Sequence, residues 1–151
     1  MSEEQERHPT PEGKIEALRL LDERWATLLQ VFDGIPADRL TEPVCGEWSV
    51  KDLVAHIAFW DGQAEIEAQR DALGESSPKI DWRAMNVREA AASKDRSFAE
   101  VWRELNETHE RMLSIFRQLP ALDAKSVGVE TFDHYEEHRA EISSWRERNG
   151  I

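Results

Sequence analysis

A chain of 151 residues is long enough for one domain and short for two; 40% hydrophobic and 33% charged residues supply one core and argue against wholesale disorder. Its 19 basic and 31 acidic residues leave a formal net charge of -12, a surface that repels phosphate backbones and anionic lipid heads, so binding to nucleic acid or to a membrane surface is set aside. The single cysteine, Cys45, excludes an intramolecular disulfide, no apolar run nears the ~18 residues of a membrane span, and the opening Met1-Ser-Glu-Glu-Gln-Glu-Arg lacks the apolar core of a signal peptide, which together give a cytoplasmic expectation.

Residues 1–9 read as a polar, flexible leader and residues 10–151 as one helical domain. Thr10 offers an N-cap oxygen, and Pro11 suits the first helical turn, where a missing N–H is harmless. Ile15, Leu18, Leu21, Trp25, Leu28, Leu29 and Phe32 then recur at three- and four-residue spacing, predicting an amphipathic helix that ends near Gly34. A loop with Pro36 and Pro43 leads to Ser49, which caps a second helix with Asp52 as its capping-box partner. Leu53, Ile57, Trp60 and Ala64 mark the buried face of that helix, which stops before Gly74. A loop follows, and then a short extra helix over 81–93. Ser97 and Glu100 read as the capping box of a third long helix carrying Phe98, Val101, Trp102, Leu105, Met112, Leu113 and Phe116, with Pro120 beyond its end. A loop to about Gly128 precedes a fourth long helix over roughly 130–147 with Tyr135, Ile142 and Trp145. No strand, repeat or low-complexity tract is expected. The fold class is all-α, an antiparallel four-helix bundle with one short helix between the second and third long helices.

Chemistry concentrates in the histidines. His134 and His138 stand four apart on a helix, so both imidazoles lie on one face and reach one point. The bland alternative is a solvated face, since Glu136, Glu137, Arg139 and Glu141 surround them; against it, Ile142 and Trp145 fall on the same side. His56 sits between Leu53 and Trp60 on the stripe of the second helix. Alone it reads as a hydrogen-bonded core residue. With the other two it makes three imidazoles from two helices, a set with open positions that suits Zn, Ni, Fe or Mn. His109 reads as a core-edge residue. His134-Tyr-Glu-Glu-His138 also matches H-x-x-E-H, but a chain of this size lacks the cleft of such zinc proteases.

The segment Glu47-Trp-Ser-Val-Lys-Asp-Leu-Val-Ala-His56-Ile-Ala-Phe-Trp-Asp61 resembles the second-helix signature of the DinB/YfiT-like superfamily. Asp133-His-Tyr-Glu-Glu-His138 resembles its His-x-x-x-His in the last helix, and Ile80-Asp-Trp-Arg-Ala-Met-Asn86 before a long helix ending Leu119-Pro120 fits its layout. The resemblance implies a four-helix bundle, often dimeric. It also implies a divalent metal held by one histidine of the second helix and two of the fourth, here His56, His134 and His138. Some relatives are thiol-dependent S-transferases or isomerases that use low-molecular-weight thiols, and others resemble metal-dependent hydrolases.

A three-histidine metal leaves room for water or a thiolate, either of which it activates. Asp52 is the first candidate for a catalytic or orienting carboxylate, followed by Glu137 and Glu141; the plain alternatives are a helix cap for Asp52 and solvated side chains for the glutamates. Cys45 is a candidate thiol near the site mouth or a simple loop residue, and Trp48 and Trp60 are candidate pocket walls. The leading expectation is a divalent-metal-dependent enzyme acting on a small molecule, thiol S-transfer ahead of hydrolysis, with a possible thiol cosubstrate and a homodimer as its assembly. The rivals are a non-catalytic metal- or ligand-binding protein and a structural dimer whose histidines are vestigial.

Overall fold

Six α-helices and one two-stranded antiparallel sheet make up the structure, a computed structural model that describes residues 7–76 and 78–151. In chain order these are α1 (Pro11–Val31), β1 (Pro43–Cys45), β2 (Trp48–Ser49), α2 (Val50–Ala72), α3 (Trp82–Ser93), α4 (Phe98–Gln118), α5 (Ala124–Glu130) and α6 (Phe132–Asn149), with a 3-10 turn at Ala37–Arg39. The fold is all-α in character, and among the described residues no helix is long and apolar enough to cross a membrane.

The caps read from the sequence set the helix starts. Thr10 accepts from the Gly13 N–H at 2.8 Å, with Pro11 in the first turn. Thr10 also exchanges two backbone hydrogen bonds with Leu122, both at 3.1 Å, which fastens the start of α1 to the segment before α5. Gly13 is obligatory for this contact, because a Cβ there would run into the Leu122 carbonyl. Ser49 and Asp52 complete a reciprocal capping box at α2. The box expected at α4 is only half made: Ser97 accepts from the Glu100 N–H at 3.1 Å, while the Glu100 carboxylate faces Arg96 instead.

The leading core contact is α2 against α4, and α1 lies on α6. α2 also meets α3, α5 and α6, so an unbroken run from Leu53 to Ala58 is buried. α4 contributes Val101, Leu105, Met112 and Phe116, and α6 contributes Phe132, Tyr135, Ile142 and Trp145. In α1 the buried stripe is Ala17, Leu21 and Leu28, and Ile15 faces solvent, off the stripe that the sequence suggested. Arg146 on α6 donates to the carbonyls of Val31 at 2.8 Å and Asp33 at 2.5 Å, closing the end of α1.

Two further features depart from the sequence reading. The β1–β2 hairpin was not expected, because strands of three and two residues are too short to display alternation; only Val44 in β1 is buried. Residues 124–130 form α5 rather than a loop, capped by the Asp123 carboxylate, which accepts from the Ser126 N–H at 3.2 Å. The chain then breaks at the buried Thr131 and restarts as α6, with Gly128 pressed so closely on the Phe132 ring that no Cβ fits. Of the leader expected over residues 1–9, residues 7–9 fall among the described residues. Arg7 pairs with Glu67 and Asp71, and the His8 N–H donates to Asp123 at 2.7 Å. The remainder of that leader, residues 1–6, lies outside the described residues.

Candidate metal centre

His56 is turned inward because every neighbour from Leu53 to Ala58 on α2 is buried. The phase of α6 is fixed by Phe132, Tyr135, Ile142 and Trp145, which carry His138 to the same side. Ligand nitrogens of His56, His134 and His138 all lie within 4.8 Å of one another. The convergence is through Nε2: His134 stands 2.9 Å from His56 and 2.7 Å from His138. His56 and His138 are each 8% exposed, and His134 is half-buried.

The hydrogen-bond chemistry of this trio is incomplete within the protein itself. A neutral imidazole nitrogen carries either a proton or a lone pair, so His134 Nε2 completes only one normal hydrogen bond of the two its position offers. His138 Nδ1 meets the Glu141 carboxylate at 2.9 Å. A carboxylate only accepts, so Nδ1 carries the proton, and in the neutral ring Nε2 is left bare. That is the carboxylate–histidine arrangement that orients a metal ligand. Burial, then the neighbouring His138, pushes the His56 pKa down to about 3, and the same causes hold His134 well below the usual histidine range. Both rings therefore present lone pairs at neutral pH, and His56 Nδ1 and His134 Nδ1 are buried without a partner. Three imidazole nitrogens converging on one point fit a divalent ion with coordination positions to spare.

The trio opens on a cavity of about 510 Å³. Trp60, Ile80, Trp82 and Val129 supply its apolar wall; Asn86, Glu67, Glu130 and Glu137 supply polar groups. Trp60 is held in place by its Nε1–H donating to Asn86 at 2.9 Å, which ties α2 to α3. Trp48 stands edge-on to His56 with ring centroids 4.6 Å apart.

The other residues singled out in the sequence divide. Asp52 is spent on the α2 cap, accepting from the Ser49 N–H at 3.0 Å and hydroxyl at 2.9 Å, and does not line the cavity. Glu137 lines it, and Glu141 touches His138. Cys45 is exposed and shares a neighbouring cleft with His56, His138 and Glu141; burial, then the Glu141 charge, pushes its thiol up and away from thiolate character. His109 is 3% exposed, a core residue rather than a core-edge one. Its Nδ1 lies 3.1 Å from Asp61 and 3.0 Å from the Tyr135 hydroxyl, Tyr135 donates to Asp61 at 2.6 Å, and Trp25 stacks on the ring at 3.5 Å.

Sequence reasoning missed Glu67, Asn86 and Glu130. The signal for Glu67 was present, since the inward series His56, Trp60, Ala64 continues onto it at helical spacing. Glu130 was hidden because it ends α5, a helix the pattern did not show.

Among curated proteins none matches this chain. A crystal structure of an uncharacterised protein from Escherichia coli UTI89 shares the fold at 16% identity with a TM-score of 0.77, covering 91% of this chain and 95% of that one. The sequence pattern of the DinB superfamily matches residues 20–143, a span that contains all three histidines, and the chain belongs to that superfamily.

Proposed function

We propose that the protein is a divalent-metal-dependent enzyme acting on a small molecule, with transfer of a thiol sulfur ahead of hydrolysis. The observation that carries this reading is the meeting of three imidazole Nε2 atoms in the wall of a cavity of ligand size. A divalent ion held by His56, His134 and His138 supplies Lewis acidity to a thiol or water. Glu141 orients His138, and Trp60, pinned by Asn86, walls the substrate. Because Asp52 serves the cap and Glu141 serves His138, Glu137 is the cavity-lining carboxylate beside the trio that can take a proton. That sparse provision of bases supports a thiol, which ionises more readily than water, as the attacking group. Zn, Ni, Fe and Mn all suit the donor set.

The largely apolar wall supports one alternative, a non-catalytic protein that holds a metal or ligand for sensing or protection. The long helices α1, α2, α4 and α6 are read as an antiparallel bundle, residues 10–151 as one domain, and the chain as a cytoplasmic homodimer; exposed Ile15, Leu73 and Val87 offer apolar surface for pairing.

Elemental analysis of tag-free protein purified without chelator tests the centre. About one ion per chain, lost in His56→Ala and in His134→Ala, is expected. No uptake after incubation with each of the four ions overturns it. Mass spectrometry of the loaded protein with low-molecular-weight thiols and an electrophile then separates S-transfer, which yields a conjugate, from hydrolysis and from passive binding.

A further inference from the structure

The chain has three asparagines, all on helices, and they are not used alike. Asn106 on α4 and Asn149 on α6 turn Nδ2 back on their own helix, donating to the carbonyls of Trp102 at 2.9 Å and Trp145 at 2.7 Å. Asn86 on α3 does not. Its amide crosses to α2, where Oδ1 accepts from the Trp60 Nε1–H at 2.9 Å. An indole N–H only donates, so the amide oxygen stands on that side and the orientation of the group is fixed. Both Nδ2 hydrogens are left without a partner among the described residues. Asn86 is also one of three residues, with His56 and His138, that line both the cavity and the neighbouring cleft beside Cys45. An oriented, unspent donor therefore stands where the two hollows meet the histidines.

The linings limit what that donor can meet. Glu67 and Glu137 line the cavity, Glu47 and Glu141 the cleft, and among the described residues no lysine or arginine lines either. Such a lining repels a carboxylate or a phosphate. The wall of Trp60, Ile80 and Trp82 takes an apolar body. A carbonyl oxygen is a strong neutral acceptor with no O–H of its own to satisfy. We propose that Asn86 donates from Nδ2 to the carbonyl oxygen of a small, neutral, largely apolar ligand lying along that wall. Asn86 is then a specificity-determining residue. It selects carbonyl compounds over hydrocarbons of the same shape, because an analogue without the oxygen leaves the amide unpaired in the filled cavity. The substrate class of the proposed metal-dependent reaction becomes neutral carbonyl compounds; the inference rests on that reading for the ligand's role as substrate, not for its binding.

Acetophenone and isopropenylbenzene, one shape with a C=O or a C=CH2 head, are titrated into the isotopically labelled full chain and followed by NMR. The Asn86 side-chain amide resonances are expected to move downfield with the ketone, and further than with the alkene. In Asn86→Asp the carboxylate still accepts from Trp60 but donates nothing. The ratio of ketone to alkene affinity is expected to fall at least about fivefold in that variant, with zinc content retained. A residue that only held Trp60 in place would leave the ratio unchanged there. Asn86→Leu, which lacks donor and acceptor alike, is the second variant should the first not fold, and the ratio is expected to fall in it as well. Failure of the ketone to bind, amide resonances that it leaves in place, or an unchanged ratio in either variant overturns the proposal. The titrations are run in chelator and again after zinc loading, so a failure of zinc binding sinks the metal reading and leaves this test standing.

Discussion

Two histidine clusters lie in the same set of helices and differ in what surrounds them. His56 and His109 are both nearly buried, at 8% and 3% exposure, and each sits on the apolar stripe of a long helix. Around His109 the partners are of another chemical kind: a carboxylate, a phenol and a stacked indole. Around His56 the polar partners are more imidazole, with a cavity alongside; an unpaired ring nitrogen is common to both, Nδ1 in His56 and Nε2 in His109. A buried histidine beside acids stabilises a core. A buried histidine beside histidines holds lone pairs that a cation can use. Burial does not separate the two; the chemistry of the neighbours does.

The sharpest way to break this contrast is to remove the carboxylate of the inner cluster. Asp61 is fully buried and holds both Tyr135 and His109, and burial raises its own pKa against their pull. Asp61→Ala is expected to cost about 3 to 5 kcal/mol and to lower the Tm by roughly 10 °C, since two polar groups lose their partner in a closed core. His134→Ala, measured without metal, is expected to cost no more than about 1 kcal/mol because it relieves an incomplete set of bonds. Thermal denaturation followed by circular dichroism in chelator compares them. The reverse ranking would put the structural network at the wrong cluster.

The cavity side makes a second demand with the opposite sign. Burial, then the nearby Glu67 carboxylate, pushes the Glu130 carboxyl up to about 9 in the folded protein, from the usual 4.5 of an exposed glutamate. The folded state therefore keeps a proton that the unfolded chain loses. Stability is undiminished below the lower value, falls as pH rises between the two, and is flat above the higher. Glu130→Gln keeps a donor toward Glu67 without that penalty. It should stabilise the protein by roughly 4 to 5 kcal/mol near pH 8 and by almost nothing near pH 4. Chemical denaturation at the two pH values reads this directly, and a variant less stable at pH 8 would mean that Glu130 belongs with the inner cluster.

Much of this contrast was legible in the chain. The caps at Thr10 and Ser49 and the stripes of α2 and α4 follow from local rules, and the i, i+4 spacing of His134 and His138 sets both rings on one face whatever surrounds them. Asp61, Glu67 and Glu130 were not legible, because a carboxylate on a helix normally means solvent, and only tertiary packing brings Asp61 to His109 or Glu130 to Glu67. His109 was placed too near the surface for the same reason: its partners come from α2 and α6, 48 and 26 residues away. The hairpin and α5 escaped because elements of two, three and seven residues are too short for a period to show.

The smallest expected effect isolates the one motif the clusters share. His138 and His109 each place Nδ1 against a carboxylate, at 2.9 Å from Glu141 and 3.1 Å from Asp61. In the core that contact is a structural tie. At the cavity it fixes which nitrogen of His138 is bare. Glu141→Gln keeps the shape and an acceptor oxygen but loses the charge. It should weaken metal binding by about tenfold, or about 1.4 kcal/mol, and leave metal-free stability unchanged. Competition for zinc with a chromogenic chelator measures the first, and denaturation in excess chelator the second. Asp61→Asn should do the converse, lowering stability while zinc affinity holds. If Glu141→Gln instead lowers the metal-free Tm, its contact with His138 is a tie of the inner kind, and the bare nitrogen facing the cavity owes nothing to it.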